Sequence, residues 1–139
     1  MNEVIEQYLN LSHNLYVNGK HQKSSSTSGL EVIDPATEIK LGEIAETTSN
    51  EINDSIDISK GAQKNWWKIS ALERAHLMHK VADKMIKMKS VLAEGLTREM
   101  GKPYKESADE VEWSAHSIRY SAEIGRSDAG RVMGPAVEG

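Results

Sequence analysis

The stretch Glu99-Met100-Gly101-Lys102-Pro103, followed by the long amphipathic run from Tyr104 to Gly125, decides how this chain folds. It predicts a helix ending, a sharp break and a second, longer helix. Gly101 can take the left-handed conformation that closes a helix, and Pro103, which cannot continue one, suits the first turn of the next. Beyond the break, Ala108, Val111, Ala115, Ile118 and Ala122 recur at the spacing of one helical face.

Upstream, the same logic gives three more helices. Ser90 is placed to cap one that carries Val91, Leu92, Leu96 and Met100. Ser70-Ala71-Leu72-Glu73 has capping-box spacing, and behind it Leu72, Ala75, Met78, Ala82, Met85 and Ile86 share a face. Thr48-Ser49-Asn50-Glu51 repeats the device ahead of Ile52, Ile56, Ala62, Trp66 and Trp67. Before the helices come three short strands: Leu15–Val17 entering an Asn18-Gly19-Lys20 turn, Leu30–Ile33 ended by Asp34-Pro35-Ala36-Thr37, and Leu41–Ala45. Residues 23–29, Lys-Ser-Ser-Ser-Thr-Ser-Gly, read as a loop, and residues 1–13 as a polar leader.

The resulting plan is a leader over 1–13, a β-arm over 14–46, helices over 48–130 and the start of a further segment at 131–139. Because all strands precede all helices, the chain does not build an alternating parallel sheet by itself. The apolar stripes therefore cover one another in a small bundle or rest on a sheet outside these residues. The arm-like strands favour the second arrangement.

Composition narrows the function. The chain has 139 residues, 38% of them hydrophobic and none of them Phe, with a mean hydropathy of −0.54. A moderate core of Ile, Leu, Val, Met and Ala is all it can build, so marginal stability alone is expected. A net charge of −4 argues against nucleic acid as a partner. The lysines Lys80, Lys84, Lys87 and Lys89 gather on the second helix, but Asp83 shares it and a solvated face explains them. No apolar run reaches the roughly 20 residues that span a bilayer, so no membrane partner and a cytoplasmic location are expected. Cysteine is absent, which removes thiolate nucleophiles and thiolate metal ligands together.

The ordered motifs resemble the N-terminal region of the aldehyde dehydrogenase superfamily. They are Tyr16-Val17-Asn18-Gly19-Lys20, Val32-Ile33-Asp34-Pro35-Ala36-Thr37, Trp67 followed by Glu73-Arg74-Ala75, Glu99 ahead of Gly101-Lys102-Pro103, Glu110-Val111, and Arg119-Tyr120 with Ala122 and Glu123. Asp34 stands where the family usually has Asn, and Glu38 where Gly is common. The resemblance implies the β-arm and helices of a Rossmann-type α/β cofactor domain, incomplete here. It also implies oxidation of an aldehyde or semialdehyde with NAD or NADP, and a homodimer or homotetramer in the intact protein. The family's nucleophilic cysteine, oxyanion-stabilising Asn, phosphate turn and glutamate segment have no counterpart in this sequence. The chain alone is therefore expected to be inactive and to depend on the remainder of the polypeptide. By the same resemblance, Ile33 and Glu99 match positions that hold a monovalent cation, through a carbonyl and a carboxylate, and Trp113 matches a position bordering the substrate tunnel.

Other readings compete. Ile33 also reads as plain strand core, Glu99 as a surface acid and Trp113 as an ordinary packing residue. Glu73 and His76 have the Glu-x-x-His spacing of metal-binding bundles, with His79 a turn later. Such sites need two copies, and Glu112–His116 has the wrong spacing for a second. Glu106, Asp109, Glu110 and Glu112 are explained by solvation and by helix-dipole stabilisation in the first turn. A non-catalytic module that docks on dehydrogenase subunits through strand edges and apolar helix faces is the remaining alternative.

Overall fold

A computed structural model describes residues 14–127 and residue 130. The leader at 1–13 and the segment at 131–139 lie outside them. Four strands come first: β1 (Asn14–Val17), β2 (Lys20–Lys23), β3 (Gly29–Ile33) and β4 (Lys40–Ala45). Four helices follow: α1 (Ser49–Lys68), α2 (Ala71–Lys87), α3 (Lys89–Met100) and α4 (Tyr104–Ser127).

The strands form two separate antiparallel hairpins, β1–β2 and β3–β4. In the first, Asn18 and Gly19 both take positive φ (53° and 73°), the conformation that lets a two-residue turn match the twist of its strands. That turn creates β2, a strand absent from the sequence expectation. Its residues Lys20–Lys23 are exposed, show no apolar alternation, and pair with β1 in the register Val17↔Lys20 to Asn14↔Lys23. The Tyr16 and His21 rings meet edge-on across the hairpin at 5.0 Å. In the second hairpin the register shifts at Val32/Ile33. Its connection is a tight turn in which the Asp34 carbonyl accepts from the N–H groups of Thr37 (3.3 Å) and Glu38 (2.8 Å). Glu38 takes φ 58°, a left-handed conformation that Gly adopts more readily.

The helices start largely as their caps dictate. Thr48 and Glu51 complete a reciprocal capping box at α1, and the Ser70 hydroxyl accepts from Glu73 N–H at 3.1 Å to start α2. Ser90 is not a cap. Helix α3 starts at Lys89 with Met88 in the N-cap position and no side-chain cap bond, so one residue joins α2 to α3. Consequently Lys89 opens α3 rather than ending the lysine row on α2. Gly101 has φ 76° and its N–H donates to the Thr97 carbonyl at 2.8 Å, closing α3 as expected. Pro103 precedes the first α4 residue and supplies the carbonyl that Ser107 N–H meets at 3.1 Å.

The interior lies between α2, α3 and α4, with α2 against α4 the largest contact. Its fully buried residues are small: Ala75 and Ala82 on α2, Ala93 on α3, and Ser107, Val111, Ala115 and Ala122 on α4. Small side chains let the helix backbones approach closely, so the helices gain dispersion contact without large apolar residues. Leu72, assigned to the buried face of α2 by periodicity, is instead half exposed. Helix α1 buries no residue at all.

Candidate functional site

The α3–α4 break and the Asp34 turn are built as one unit. Asp34 is only 6% exposed. Its Oδ1 accepts from Ala36 N–H at 2.9 Å, its own N–H donates to the Ile39 carbonyl at 3.0 Å, and its Oδ2 lies 3.7 Å from Arg98 Nε. A buried carboxylate thus draws the hairpin turn onto the last turn of α3, where unpaired burial would be costly. One residue beyond Asp34 and three beyond Arg98, the contact is closer still. A Cβ on Gly101 would sit 2.8 Å from Pro35 Cγ, so absence of a side chain there is what lets the turn and the break touch. Below the break, the Thr97 and Ser107 hydroxyls bond at 2.8 Å, and Lys102 pairs with Glu110.

The chemical residues sit around this unit. Ile33 ends β3 immediately before Asp34, and Glu99 follows Arg98, so their segments are brought together by the Asp34–Arg98 contact. Both side chains are exposed. A backbone carbonyl and a carboxylate are hard oxygen donors suited to a hard cation. Trp113 lies on the opposite face of α4 from the buried Val111 and Ala115 and is 73% exposed, so it does not pack within the described residues. Tyr120 and Ile124 extend the same outward face.

Charged pairs tie the helices together. His79 Nε2 lies 2.7 Å from Glu123 Oε1, Arg119 donates to Asp83 at 2.7 Å, and Lys89 donates to Glu112 at 2.6 Å. Each partnership holds its carboxylate below the usual range: Glu123 through His79 first, Asp83 through Arg119, Glu112 through Lys89. Exposed pairs of this kind add little stability singly but fix register. The strongest perturbation is at Glu51. Backbone N–H donors from Thr48 and then Ser25 pull it down to about 2. Ser24 and Thr48 hydroxyls also donate to it, so one carboxylate caps α1 and holds the Ser-rich loop. The motif residues found from sequence have structural tasks here. Arg74 lies 5.2 Å from the Trp67 ring and donates to the Ile69 carbonyl at 2.5 Å, bracing the α1–α2 corner. Arg119 and Glu123 face α2, whereas Tyr120 faces outward.

Sequence reasoning missed two of these groups. The Asp34–Arg98 contact is long-range and carries no local pattern. The Ser25–Glu51 bond hides behind a capping box that explains Glu51 by itself. Of the metal-bundle residues, His79 is engaged by Glu123 and His76 is exposed, and among the described residues no three His, Cys, Asp or Glu converge on a metal position. A dinucleotide does not fit these residues either. Both sheets are two-stranded hairpins, and the strand that leads into a helix, β4, meets an α1 N-terminus filled by its own capping box.

Two antiparallel hairpins followed by four helices, with a Gly-Lys-Pro helix break and a small-residue α2–α4 seam, make this an incomplete α/β segment. The chain belongs to the aldehyde dehydrogenase family, whose model matches residues 21–138. It is 36% identical over 110 residues to the NADP-dependent glyceraldehyde-3-phosphate dehydrogenase of Arabidopsis thaliana, a match covering 79% of this chain and 22% of that protein. Among solved structures, it resembles the succinate-semialdehyde dehydrogenase of Burkholderia pseudomallei, with TM-score 0.84 and 32% identity over 91% of this chain and 26% of the other. It also resembles the NADP-dependent glyceraldehyde-3-phosphate dehydrogenase of Bacillus halodurans C-125, with TM-score 0.78 and 31% identity over 81% of this chain and 24% of the other. The chain therefore spans about a quarter of the length of the relatives it matches.

Proposed function

We propose that this chain supplies the N-terminal part of an NAD(P)-dependent dehydrogenase that oxidises an aldehyde or semialdehyde to a carboxylic acid. Its own task in that reading is to brace the cofactor domain and border the substrate entrance. The single observation that carries the reading is the unit made by the Asp34 turn, Arg98 and Gly101, which fixes the family motifs around one helix break. With no cysteine in its sequence, the chain offers no thiolate to attack an aldehyde, so the nucleophile and the water-activating base come from other residues of the intact enzyme, and the hydride would pass to NAD or NADP bound there. Trp113, presented outward from α4, contributes apolar surface to the substrate entrance. Ile33 through its carbonyl and Glu99 through its carboxylate contribute two oxygen ligands to a monovalent cation, with the others outside the described residues. The intact enzyme acts as a cytoplasmic homo-oligomer.

Complementation tests this. The first quarter of the Burkholderia succinate-semialdehyde dehydrogenase is deleted, and this chain is added to the remainder in trans. The expected result is aldehyde-dependent NAD(P)H formation at 340 nm from the mixture and from neither part alone. Turnover by this chain alone, or a mixture no better than the truncated enzyme, refutes the reading. In the active mixture, Trp113→Ala is expected to change KM for the aldehyde more than kcat.

A further inference from the structure

The outward face of α4 has one chemical character along its length. Glu106, Asp109, Trp113, Ser117, Tyr120 and Ile124 follow one another at steps of three and four, so all fall within about 40° of Trp113 around the helix axis. All six are exposed, Trp113 by 73% and Tyr120 by 71%. Two aromatic rings and an isoleucine make an apolar strip, and the charges in line with it are the two carboxylates towards its N-terminal end.

Cations are drawn away from this strip. Arg119 turns to α2, where it donates to Asp83, and Arg126 pairs with Glu123. Lys89, near enough to Asp109 for their charges to interact, is engaged by Glu112 at 2.6 Å, and Lys102 is engaged by Glu110. Lys105 lies about 80° round the helix from Trp113, and His116 flanks the strip on the side of Glu112. No arginine or lysine among the described residues of α4 shares the face of Trp113.

An anionic substrate group calls for the opposite surroundings. Phosphate and carboxylate are held by charge-assisted hydrogen bonds from arginine or lysine, and carboxylates repel them, more strongly in a cleft than in open water. The relatives described above are named for aldehydes that carry a phosphate or a carboxylate. Resting on the entrance role proposed for Trp113, we infer that α4 selects an uncharged aldehyde with an apolar tail and disfavours aldehydes bearing phosphate or carboxylate. Trp113 and Tyr120 supply flat apolar surface for the tail. Glu106 and Asp109 set the sign of the local potential. Trp113 thereby determines specificity without taking part in bond making.

Hexanal and succinate semialdehyde, each with saturating NAD or NADP, are the paired probes in the mixture of this chain with the truncated Burkholderia enzyme. The reference is the same truncated enzyme restored with its own first quarter. The ratio of kcat/KM, hexanal over succinate semialdehyde, is expected to be at least about tenfold higher with this chain, the scale of one changed pocket contact. Glu106→Gln with Asp109→Asn should raise kcat/KM for the semialdehyde and leave hexanal unchanged, and Trp113→Arg should raise it further. Added salt should also favour the semialdehyde alone. Circular dichroism verifies the helicity of each variant. Grafting the six strip residues onto the matching helix of the intact Burkholderia enzyme reads the same ratio without complementation, and a rise is expected there too. An active mixture with an unshifted ratio, or carboxylate variants that give the semialdehyde no advantage, overturns the inference and leaves the proposed function standing. An inactive mixture overturns the proposed function instead. The graft then decides the inference alone: a shifted ratio upholds the selectivity of the strip, and an unshifted one overturns it.

Discussion

Replacing Gly101 by Ala isolates the contact on which the α3–α4 break depends. Two costs arise from the structure. The residue sits at φ 76°, where an L side chain costs about 1–2 kcal/mol. The new methyl would also lie 2.8 Å from Pro35 Cγ, closer than carbon atoms tolerate, so the Pro35 ring must move. Movement is resisted because the adjacent Asp34 is held by Arg98 and by the Ala36 and Ile39 backbone bonds. Against this, Ala restricts the unfolded chain and returns about 0.4–1 kcal/mol. The net expectation is a loss of about 1–3 kcal/mol, lowering Tm by roughly 4–12 °C for a chain of this size. Gly95→Ala is the matched control. It lies inside α3, has nothing within 4 Å of its would-be Cβ, and should gain about 0.5–1 kcal/mol through helix propensity. Thermal and urea melts followed by circular dichroism compare the two. If Gly101→Ala is neutral or stabilising, or if both changes move stability the same way, the account of the break is wrong.

Other perturbations follow from the same contacts. Glu38→Gly relieves a left-handed non-glycine residue and should stabilise by about 1 kcal/mol in urea titration, because the turn is kept while its strain is removed. Asp34→Ala removes a buried acceptor and leaves Arg98 unpaired, an expected loss of about 1–3 kcal/mol, whereas Asp34→Asn retains the Ala36 bond and loses less. Ala82→Leu or Ala115→Leu inserts methylenes where exposure is 0%, with an expected cost of about 1–3 kcal/mol by the same melts. Acid should loosen the fold stepwise. Carboxylates held low in the folded state contribute above their ordinary value and lose that contribution as pH falls through the folded one, so Glu51 support fades from 4.5 towards about 2. Protection of the Ser25 amide, taken by NMR relative to its intrinsic exchange rate at each pH, should fall as pH drops across that window; unchanged protection at its acid end would refute the role given to Glu51.

Much of the helical plan was legible because it is written locally. The Thr48–Glu51 box, Ser70 and Gly101 each act within a turn of the boundary they set, and α4 announces its buried face through Val111, Ala115 and Ala122. What escaped was set by partners distant in sequence. Residues 20–23 are a strand only because the Asn18-Gly19 turn folds them onto β1. Leu72 has helical phase for the core yet lies in the first turn of α2, beyond the reach of α4, and stays half exposed. Ser90 has a capping side chain but no helix start to cap, since α3 opens at Lys89. At the candidate site, Ile33, Glu99 and Trp113 came from motif order alone. The Asp34–Arg98 pair that positions the first two has no periodicity to betray it.

The joint at Met88 sets more than a direction. Successive helix residues turn by about 100°, so a single inserted or deleted residue there would re-phase all of α3 relative to α2. Ala93 would swing out of the interior, the Thr97 hydroxyl would lose Ser107, and Arg98 would point away from Asp34. The chain thus keeps time at this one residue. Length variation is thereby excluded from the shortest connection in the bundle.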